Sequence, residues 1–452
     1  MCFYVGRTIR SCLVIAVLLC VNQAVVAAAP VYEAGLDDVL LDAIRTSKDL
    51  AVQALQKEVI DTEIKATRGA FLPTVSASAV AGTQHIPVSP NSSQSGLQWN
   101  ELQAAAGDLN FYQLNLSLNQ NLFAGFSNFN VAKIAFLQKD LHEARRERIV
   151  RGIIEKACAV YLKHLFYLEQ LGSSQQQLSL LRKKHSDVSA RLHVGMGTAL
   201  DAMRAEYEIN VEQNAIAHIQ GDIEKNNSAL MRIVGESIGK VFVPSDSINV
   251  IFAGSGNLPP FATAYKEMIE NNPEMKEIDL GLRLLELQYG VSTSLSAPKL
   301  DLLLEATNKA DRSADIGGVN QTTYSGQVRM SVPLFSGLSS FTDREKYIAQ
   351  RKQQVLNRQI RIEDLYSELE LAYQDFQLAD SRLKRDEASL KLADASVERA
   401  DTLYMAGVVA NTEVLEQYTK KRQALFQLAE TRHSRVLAKI KAVLLIRGAA
   451  RQ

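Results

Sequence analysis

Proline placement constrains this chain more than any other feature. All ten prolines lie at or before Pro333, and none falls between Asn91 and Val243. Proline lacks the N–H that a helix interior needs, and its ring clashes with the carbonyl four residues back. The two proline-free runs, 91–243 and 334–452, can therefore form helices longer than a compact domain uses. A length of 452 residues would ordinarily suggest two or three soluble domains. Hydrophobic residues make up 46%, enough for a sizeable core. The 50 Lys and Arg balance 50 Asp and Glu. Without a cationic excess, nucleic acid is not an expected partner.

Residues 1–28 read as a secretory signal peptide. Arg7 and Arg10 precede the apolar run Leu13–Val21, and Ala27, Ala28 and Ala29 supply a small-residue cleavage site. Cleavage before Ala29 removes two arginines and no acid, leaving 48 basic residues against 50 acidic ones. Cys2, Cys12 and Cys20 go with the leader, so Cys158 remains as a small apolar helix residue without a disulfide partner. Bulky Leu19 before Cys20 argues against lipid attachment. No later stretch holds 18 consecutive apolar residues, so no membrane-spanning helix is expected.

The chain repeats itself. Asn121-Leu122-Phe123-Ala124-Gly125 returns as Pro333-Leu334-Phe335-Ser336-Gly337, and the pair Gly195 and Asp201 returns as Gly407 and Glu413, both displaced by 212. Between these anchors, Ile362, Leu365, Leu369, Ala372, Phe376, Ala379 and Leu383 step by threes and fours, and the series resumes from Leu390 to Tyr404. The first copy reads Val150, Ile153, Ala157, Val160, His164, Tyr167 and Leu171, then Leu178, Leu181, His185, Val188 and Leu192. Such a sustained seam is coiled-coil packing. Seventy residues of helix would reach about 105 Å, which suits a rod or a tube. Upstream, Arg68–Pro73 matches Thr293–Pro298 at a displacement of 225. The first copy thus carries 13 extra residues, the difference between 225 and 212, in a polar loop containing Gly82, Pro87, Pro90, Asn91, Ser92, Ser93 and Gly96.

Four segments alternate with period two, near 74–82, 111–122, 299–307 and 323–334. Leu114, Leu116, Leu118 and Leu122 share one face with Gln120 as the exception, opposite Gln113, Asn115, Ser117, Asn119 and Asn121. Such lengths and alternation suit transmembrane β-strands, although amphipathic hairpins on a soluble core would look alike. Four strands cannot close a barrel, and an open edge in lipid leaves backbone groups unsatisfied. A membrane reading therefore demands oligomerisation, to eight, twelve or sixteen strands.

With these anchors the chain resembles the TolC-type outer-membrane efflux family. The carrying residues are Phe71-Leu72-Pro73, Gln120–Gly125, Asn271-Asn272-Pro273, Val332–Gly337 and the two Gly-to-acid turns, in family order and in both halves. The resemblance implies a mainly α protein with a membrane β part. Residues 29–250 would form a first repeat with long helices to about 235, and 251–452 a second with helices to about 447. It further implies a homotrimer whose twelve strands form one barrel in the outer membrane, continued by an α-helical barrel in the periplasm. Residues from Val241 to Pro260 and the C-terminal tail would contribute to a mixed belt. The implied partners are a periplasmic adaptor, an inner-membrane ABC or proton-driven transporter and outer-membrane lipid.

The turns at Gly195 and Gly407 would then sit at the periplasmic tip. Glu413 and Glu416 are three apart and share a helix face, so three chains would converge six carboxylates, favouring cations. An ordinary solvated face is the rival reading. Tyr404 and Asp201 match tip positions that hold the family's closed state, whereas Val409 replaces the family's arginine. Leu122, Phe123, Gly125, Leu334, Phe335 and Gly337 would mark the junction of barrel and helices.

No catalytic or metal-binding constellation is found, and no cofactor is expected. There is no phosphate-binding loop, and the seven histidines form no His-Glu-x-x-His or Cys/His set. His164 and His185 fall on the seam as packed or pore-facing residues. Asp301 and Glu305 lie on the polar strand face and suit a wet lumen. Arg145, Arg146, Arg148 and Arg151, interleaved with Glu143 and Glu147, read as a solvated face, with contact to a partner helix as the rival. The expected function is a passive exit duct for efflux or type I secretion. A soluble periplasmic coiled-coil adaptor is the alternative, and an enzyme is not expected.

Overall fold

The computed structural model describes residues 31–86, 107–195, 197–236, 240–246, 258–310, 322–335 and 338–447. The segment expected to be a signal peptide, most of the polar loop of the first copy and Gly337 lie outside them. In chain order the elements are β1 (Val31–Ala34), α1 (Leu36–Thr46), α2 (Lys48–Gly69), β2 (Thr74–Ile86), β3 (Gly107–Ala124), α3 (Ser127–His193) and α4 (Ala199–Val234). They continue with β4 (Val241–Pro244), α5 (Phe261–Asn271), α6 (Pro273–Ser294), β5 (Lys299–Ala310), β6 (Thr322–Ser331), α7 (Ser339–Met405) and α8 (Asn411–Arg447). The repeat is visible residue by residue. Helices α3 and α7 are both 67 residues long and start 212 positions apart, 127 to 339. Helices α2 and α6 are both 22 residues long and start 225 apart, 48 to 273.

The chain divides into two compact units, each drawing on both sequence repeats. Unit 1 comprises Met1–Ser47, Ile153–Asn257 and Tyr373–Lys441. Its core joins Val39, Tyr161, Leu162, Leu165, Leu230, Met231, Val234, Phe242 and Val436. Strands β1 and β4 form a parallel pair, Val31 opposite Val241. Asp246 accepts from the Leu36 amide at 2.8 Å, satisfying the start of α1 where Gly35 provides no side-chain cap. His164 lies against the Phe242 ring at 5.2 Å, and burial lowers its pKa to about 4, so it is a packed neutral residue. Cys158 is buried as expected, its thiol pushed up to about 12 by desolvation.

The seam of α7 follows the expected register. Leu365, Leu369, Ala372, Phe376, Ala379, Ala400 and Tyr404 are buried. Over the last turns of α3, Leu181 and Val188 are buried as expected, but the alternate seam positions lie one residue earlier. The buried residues there are Ser174, Gln177, Leu181, Lys184 and Val188, whereas Leu178 and His185 are half-buried and Leu192 is exposed. A buried lysine occupies a seam position because a carboxylate and an aromatic ring meet it.

Unit 2 comprises Lys48–Gly152, Leu258–Ala372 and Ala442–Gln452. It holds an antiparallel sheet of order β2-β3-β5-β6. Register fixes the faces, because directly opposed residues point the same way. Ala77, Leu116, Ala306 and Tyr324 form one row, and Val75, Leu118, Leu304 and Gly326 the next. The other face carries Ser76, Ser117, Glu305 and Ser325, then Asn121, Asp301 and Arg329. There Asn121 donates to Asp301 at 2.7 Å and Thr307 to Asn115 at 3.0 Å. Gln120, the polar exception on the apolar face, folds its amide back onto the Phe71 carbonyl at 3.0 Å.

Three strands are longer than the alternation indicates, and β6 is shorter, ending at Ser331. Pro333 cannot donate to a ladder, so pairing stops before it. Gly82 lies inside β2, not in the loop. It faces Phe111, whose ring occupies the space a Cβ would need.

The arginine run on α3 stays largely exposed, apart from Arg151, but three of its members pair with a partner helix. Arg145 and Arg148 bond Glu277 at 2.8 and 3.1 Å, and Arg151 bonds Glu274 at 2.8 Å. Helix α6 presents these acids to α3, while Arg358 and Arg361 of α7 reach its Asp279 and Glu274 at 2.7 and 2.6 Å. Its start is set by Asn-Pro: Asn272 Oδ1 accepts from the Glu274 amide at 2.9 Å, and Pro273 takes the first position, where a missing N–H costs nothing.

Candidate functional site

Two turns in unit 1 close the long helices. Gly195 after α3 has φ +77° and Gly407 after α7 has φ +73°, the left-handed conformation that terminates helices at glycine. After Gly407 the Val408 amide returns to the Leu403 carbonyl at 2.9 Å and the Gly407 amide to Tyr404 at 3.0 Å. Val194 and Val408 stand exposed beside the glycines. Helix α4 then opens on Thr198, whose hydroxyl accepts from the Asp201 amide at 3.2 Å and donates to the Asp201 carboxylate at 2.6 Å. Asp201 is thus engaged in capping its own helix, and its carbonyl also receives Asn411 Nδ2 of α8 at 3.4 Å.

Tyr404 is buried against two cations. Lys184 Nζ lies 3.6 Å from its ring centroid and the Arg191 guanidinium 4.5 Å, a cation–π arrangement. Arg191 also donates to the Tyr404 carbonyl at 3.3 Å. Lys184 pairs with Asp401 at 3.3 Å, and the other oxygen of Asp401 accepts from Tyr418 at 2.8 Å. Burial lowers the Lys184 pKa, with Asp401 opposing the shift, and burial raises that of Tyr404. Leu181, Val188, Ala400, Val414 and Leu415 enclose the group, and Val409 packs against them. Val409, read from the sequence as standing in place of an arginine, thus makes an apolar contact.

The two acids of the proposed ring sit at the start of α8. Glu413 accepts from Gln417 at 2.9 Å and lines a groove with Arg399 of α7. Glu416 pairs with Lys420 at 2.7 Å, one helical turn on, and this partner raises the lysine's pKa. The structure therefore brings Asp201 close to Asn411, and Tyr404 close to Lys184, Arg191 and Asp401. It does not join Glu413 or Glu416 to that cluster. Lys184, Arg191, Asp401 and Tyr418 were missed from the sequence. The spacing Gln177, Lys184, Arg191, seven residues each, was the signal that a polar seam runs there.

The junction motifs differ between copies. In the first, the register shifts at Leu122, between Asn121 and Phe123. Gly125 turns left-handed at φ +60° against Ala297, whose Cβ fills the space a side chain would need. Phe123 stacks edge-on with Phe126 at 5.3 Å, and Phe71 with Phe129 at 5.2 Å. In the second copy Leu334 and Phe335 are fully open, 94% and 80% exposed, and Gly337 lies outside the described residues. Among the described residues no group of His, Cys, Asp or Glu could hold a metal, and no helix is long and apolar enough to cross a membrane.

A family model described as outer membrane efflux protein matches residues 39–236 and 264–442. The chain is 22% identical over 227 residues to the outer membrane efflux protein BepC of Brucella suis biovar 1 (strain 1330), a match spanning 48% of this chain and 50% of the relative. Among solved structures, CusC, described in terms of transmembrane channel formation, aligns with TM-score 0.81 at 15% identity, covering 94% of this chain and 96% of its own. VceC, an outer membrane protein of Vibrio cholerae, aligns with TM-score 0.77 at 13% identity, covering 91% and 96%. With both repeats matched by the family model, the chain belongs to the outer membrane efflux protein family.

Proposed function

We propose that three copies of this chain close into one outer-membrane channel continued by a periplasmic helical tunnel, the exit duct of a tripartite efflux or type I secretion system. The sheet carries this reading. It separates an exposed apolar face from a mostly polar one of Ser, Thr, Asn and Gln with Asp301, Glu305 and Arg329, where Val80, Phe111 and Leu303 are the apolar members, and among the described residues it leaves β2 and β6 as edges. An unpaired backbone group in lipid costs several kcal/mol, so such a sheet is stable there only when closed. Three sheets of four strands make a barrel of twelve, with the polar face inward as a wet lumen. Energy comes from an inner-membrane ABC or proton-driven transporter through a periplasmic adaptor. The adaptor-like alternative is set aside because a soluble scaffold has no use for an exposed apolar sheet face.

The tip turns form the periplasmic end of the duct in this reading. Glu413 and Glu416 of three copies converge on the axis, with Lys420 offsetting part of the Glu416 charge. The Lys184–Asp401–Tyr418 group joins α3, α7 and α8 and holds the helices that carry the ring. Outer-membrane extraction followed by mass measurement in mild detergent tests the architecture: a trimer resistant to dissociation is expected, and a monomer overturns it. In planar bilayers, Glu413→Ala with Glu416→Ala should lower the preference for cations over anions several-fold. An unchanged permeability ratio removes the ring role.

A further inference from the structure

We infer that the cleft where α6 lies against α3 and α7 in unit 2 binds an anionic amphiphile. Arg145 and Arg148 hold its acid group, and its apolar body lies over Gly281. The cleft has a volume of about 470 Å³ and is lined by side chains of all three helices. Small-molecule sites of that size join an apolar lining to a few placed polar groups. One end of this cleft is cationic. Arg145 Nε bonds one oxygen of Glu277 at 2.8 Å, and Arg148 Nε bonds the other at 3.1 Å. Both arginines are about half exposed, and among the described residues neither pairs with a second carboxylate. Two guanidiniums thus share one carboxylate, leaving a positive charge and the terminal N–H groups of both forks for a further anion. Arg361 also lines the cleft, but Glu274 and Glu368 already meet it at 2.6 and 2.9 Å, so the excess lies at the Arg145 end.

The other end is apolar. Leu141 is buried there, and Ile278, Leu284 and Leu285 are half-buried along α6. Glu277 and Leu284 stand about 10 Å apart at the helical rise per residue, and Gly281 lies between them. Glycine inside a helix is destabilising relative to alanine. Packing does not demand it, since a Cβ at Gly281 would meet only the Gln354 amide, at an ordinary 3.4 Å. The missing side chain instead keeps the floor of the cleft open. Arg145 and Arg148 are likewise no gift to their helix, because like charges three apart disfavour it. The other sequence repeat shows that the fold does not need these residues. Helix α2 has the same 22 residues as α6, starting at 48 against 273. It carries Val52 and Gln56 where α6 carries Glu277 and Gly281. Helix α7, which starts at 339 against 127 for α3, has Asn357 and Ile360 in place of Arg145 and Arg148. The glycine, the acid and the two arginines occur together in one repeat and are replaced together in the other, as parts of one site would be.

The probe is anilinonaphthalene sulfonate, an apolar body with one acid group, read by its fluorescence on the exported protein in lipid nanodiscs after subtraction of empty discs. Its neutral twin, phenylnaphthylamine, lacks the sulfonate. Saturable binding of the sulfonate is expected, with the twin bound about tenfold more weakly or worse, the scale of a lost charge-assisted hydrogen bond. Arg145→Gln with Arg148→Gln should weaken the sulfonate by about the same factor. Gly281→Leu, which fills the floor and leaves the arginines in place, should also abolish most of the binding. Unfolding exposes apolar surface and raises binding of this probe, so a loss reports the cleft and not a damaged fold. Wild-type protein without saturable binding overturns the site, as does an affinity that either variant leaves unchanged or that the twin equals. All the residues belong to one chain, so the result stands apart from the trimeric reading.

Discussion

The core of unit 1 and the sheet of unit 2 use similar apolar side chains in opposite surroundings. Tyr161, Leu162, Leu230 and Met231 are sealed by other parts of the same unit. On the sheet, Leu116, Tyr324, Val328 and Met330 lie in the open, with Tyr324 75% exposed. A chain that completes one core so well has no shortage of means to hide the other surface. The sheet face is made for a medium that is not water, and burial within one chain sorts what that chain finishes alone from what membrane and copies finish.

The sharpest way to break this comparison is truncation. Leu162→Ala should cost about 2–5 kcal/mol, read from the denaturant midpoint of helical circular dichroism. Leu116→Ala in detergent should move that midpoint little, and an equal loss would show the sheet face to be ordinary core. Next comes charge in lipid. Leu116→Arg should cost about 2–4 kcal/mol for insertion into liposomes if it sits near the bilayer midplane, whereas Ser117→Arg, one residue on and facing the lumen, should cost far less.

Acid should find the sealed core of unit 1 as well. His164 keeps a folded pKa of about 4 against an ordinary 6.5, because burial disfavours its charged form. Between those values the unfolded chain binds a proton that the folded chain refuses, so stability is full above pH 6.5 and falls towards pH 4. The loss reaches about 3 kcal/mol, and His164→Leu should flatten most of it in denaturation series across that range. Asp401→Asn should cost about 1–3 kcal/mol, since it strands Lys184 while water still reaches the site. Arg148→Ala, which loses a half-exposed pair with Glu277, should cost under about 1 kcal/mol.

What the sequence disclosed depended on periodicity. Helix α7 was legible because Leu365, Leu369 and Ala372 are apolar at seam positions. In the last turns of α3, Leu181 and Val188 were legible, but Gln177 and Lys184 were passed over for Leu178 and His185 because they are polar, and a partner 217 positions away, Asp401, makes the burial of Lys184 tolerable. The pairing of the arginine run was hidden because its acids lie on α6, far along the chain. Asp201 and Glu413 were identifiable as turn residues from their spacing to glycine. Their local bonds, to Thr198 and Gln417, depend on rotamers that no spacing encodes.

The parallel pair of β1 and β4 has a consequence for how the molecule comes into being. Val31 sits opposite Val241. Strand β1 therefore waits for its partner until more than two hundred further residues have been made. At roughly 5–20 residues per second, that wait is on the order of ten to forty seconds. Through it, Val31 and Tyr32 travel unpaired beside an α1 whose start still lacks Asp246. The leading segment is thus among the last parts of unit 1 that can find its native partner.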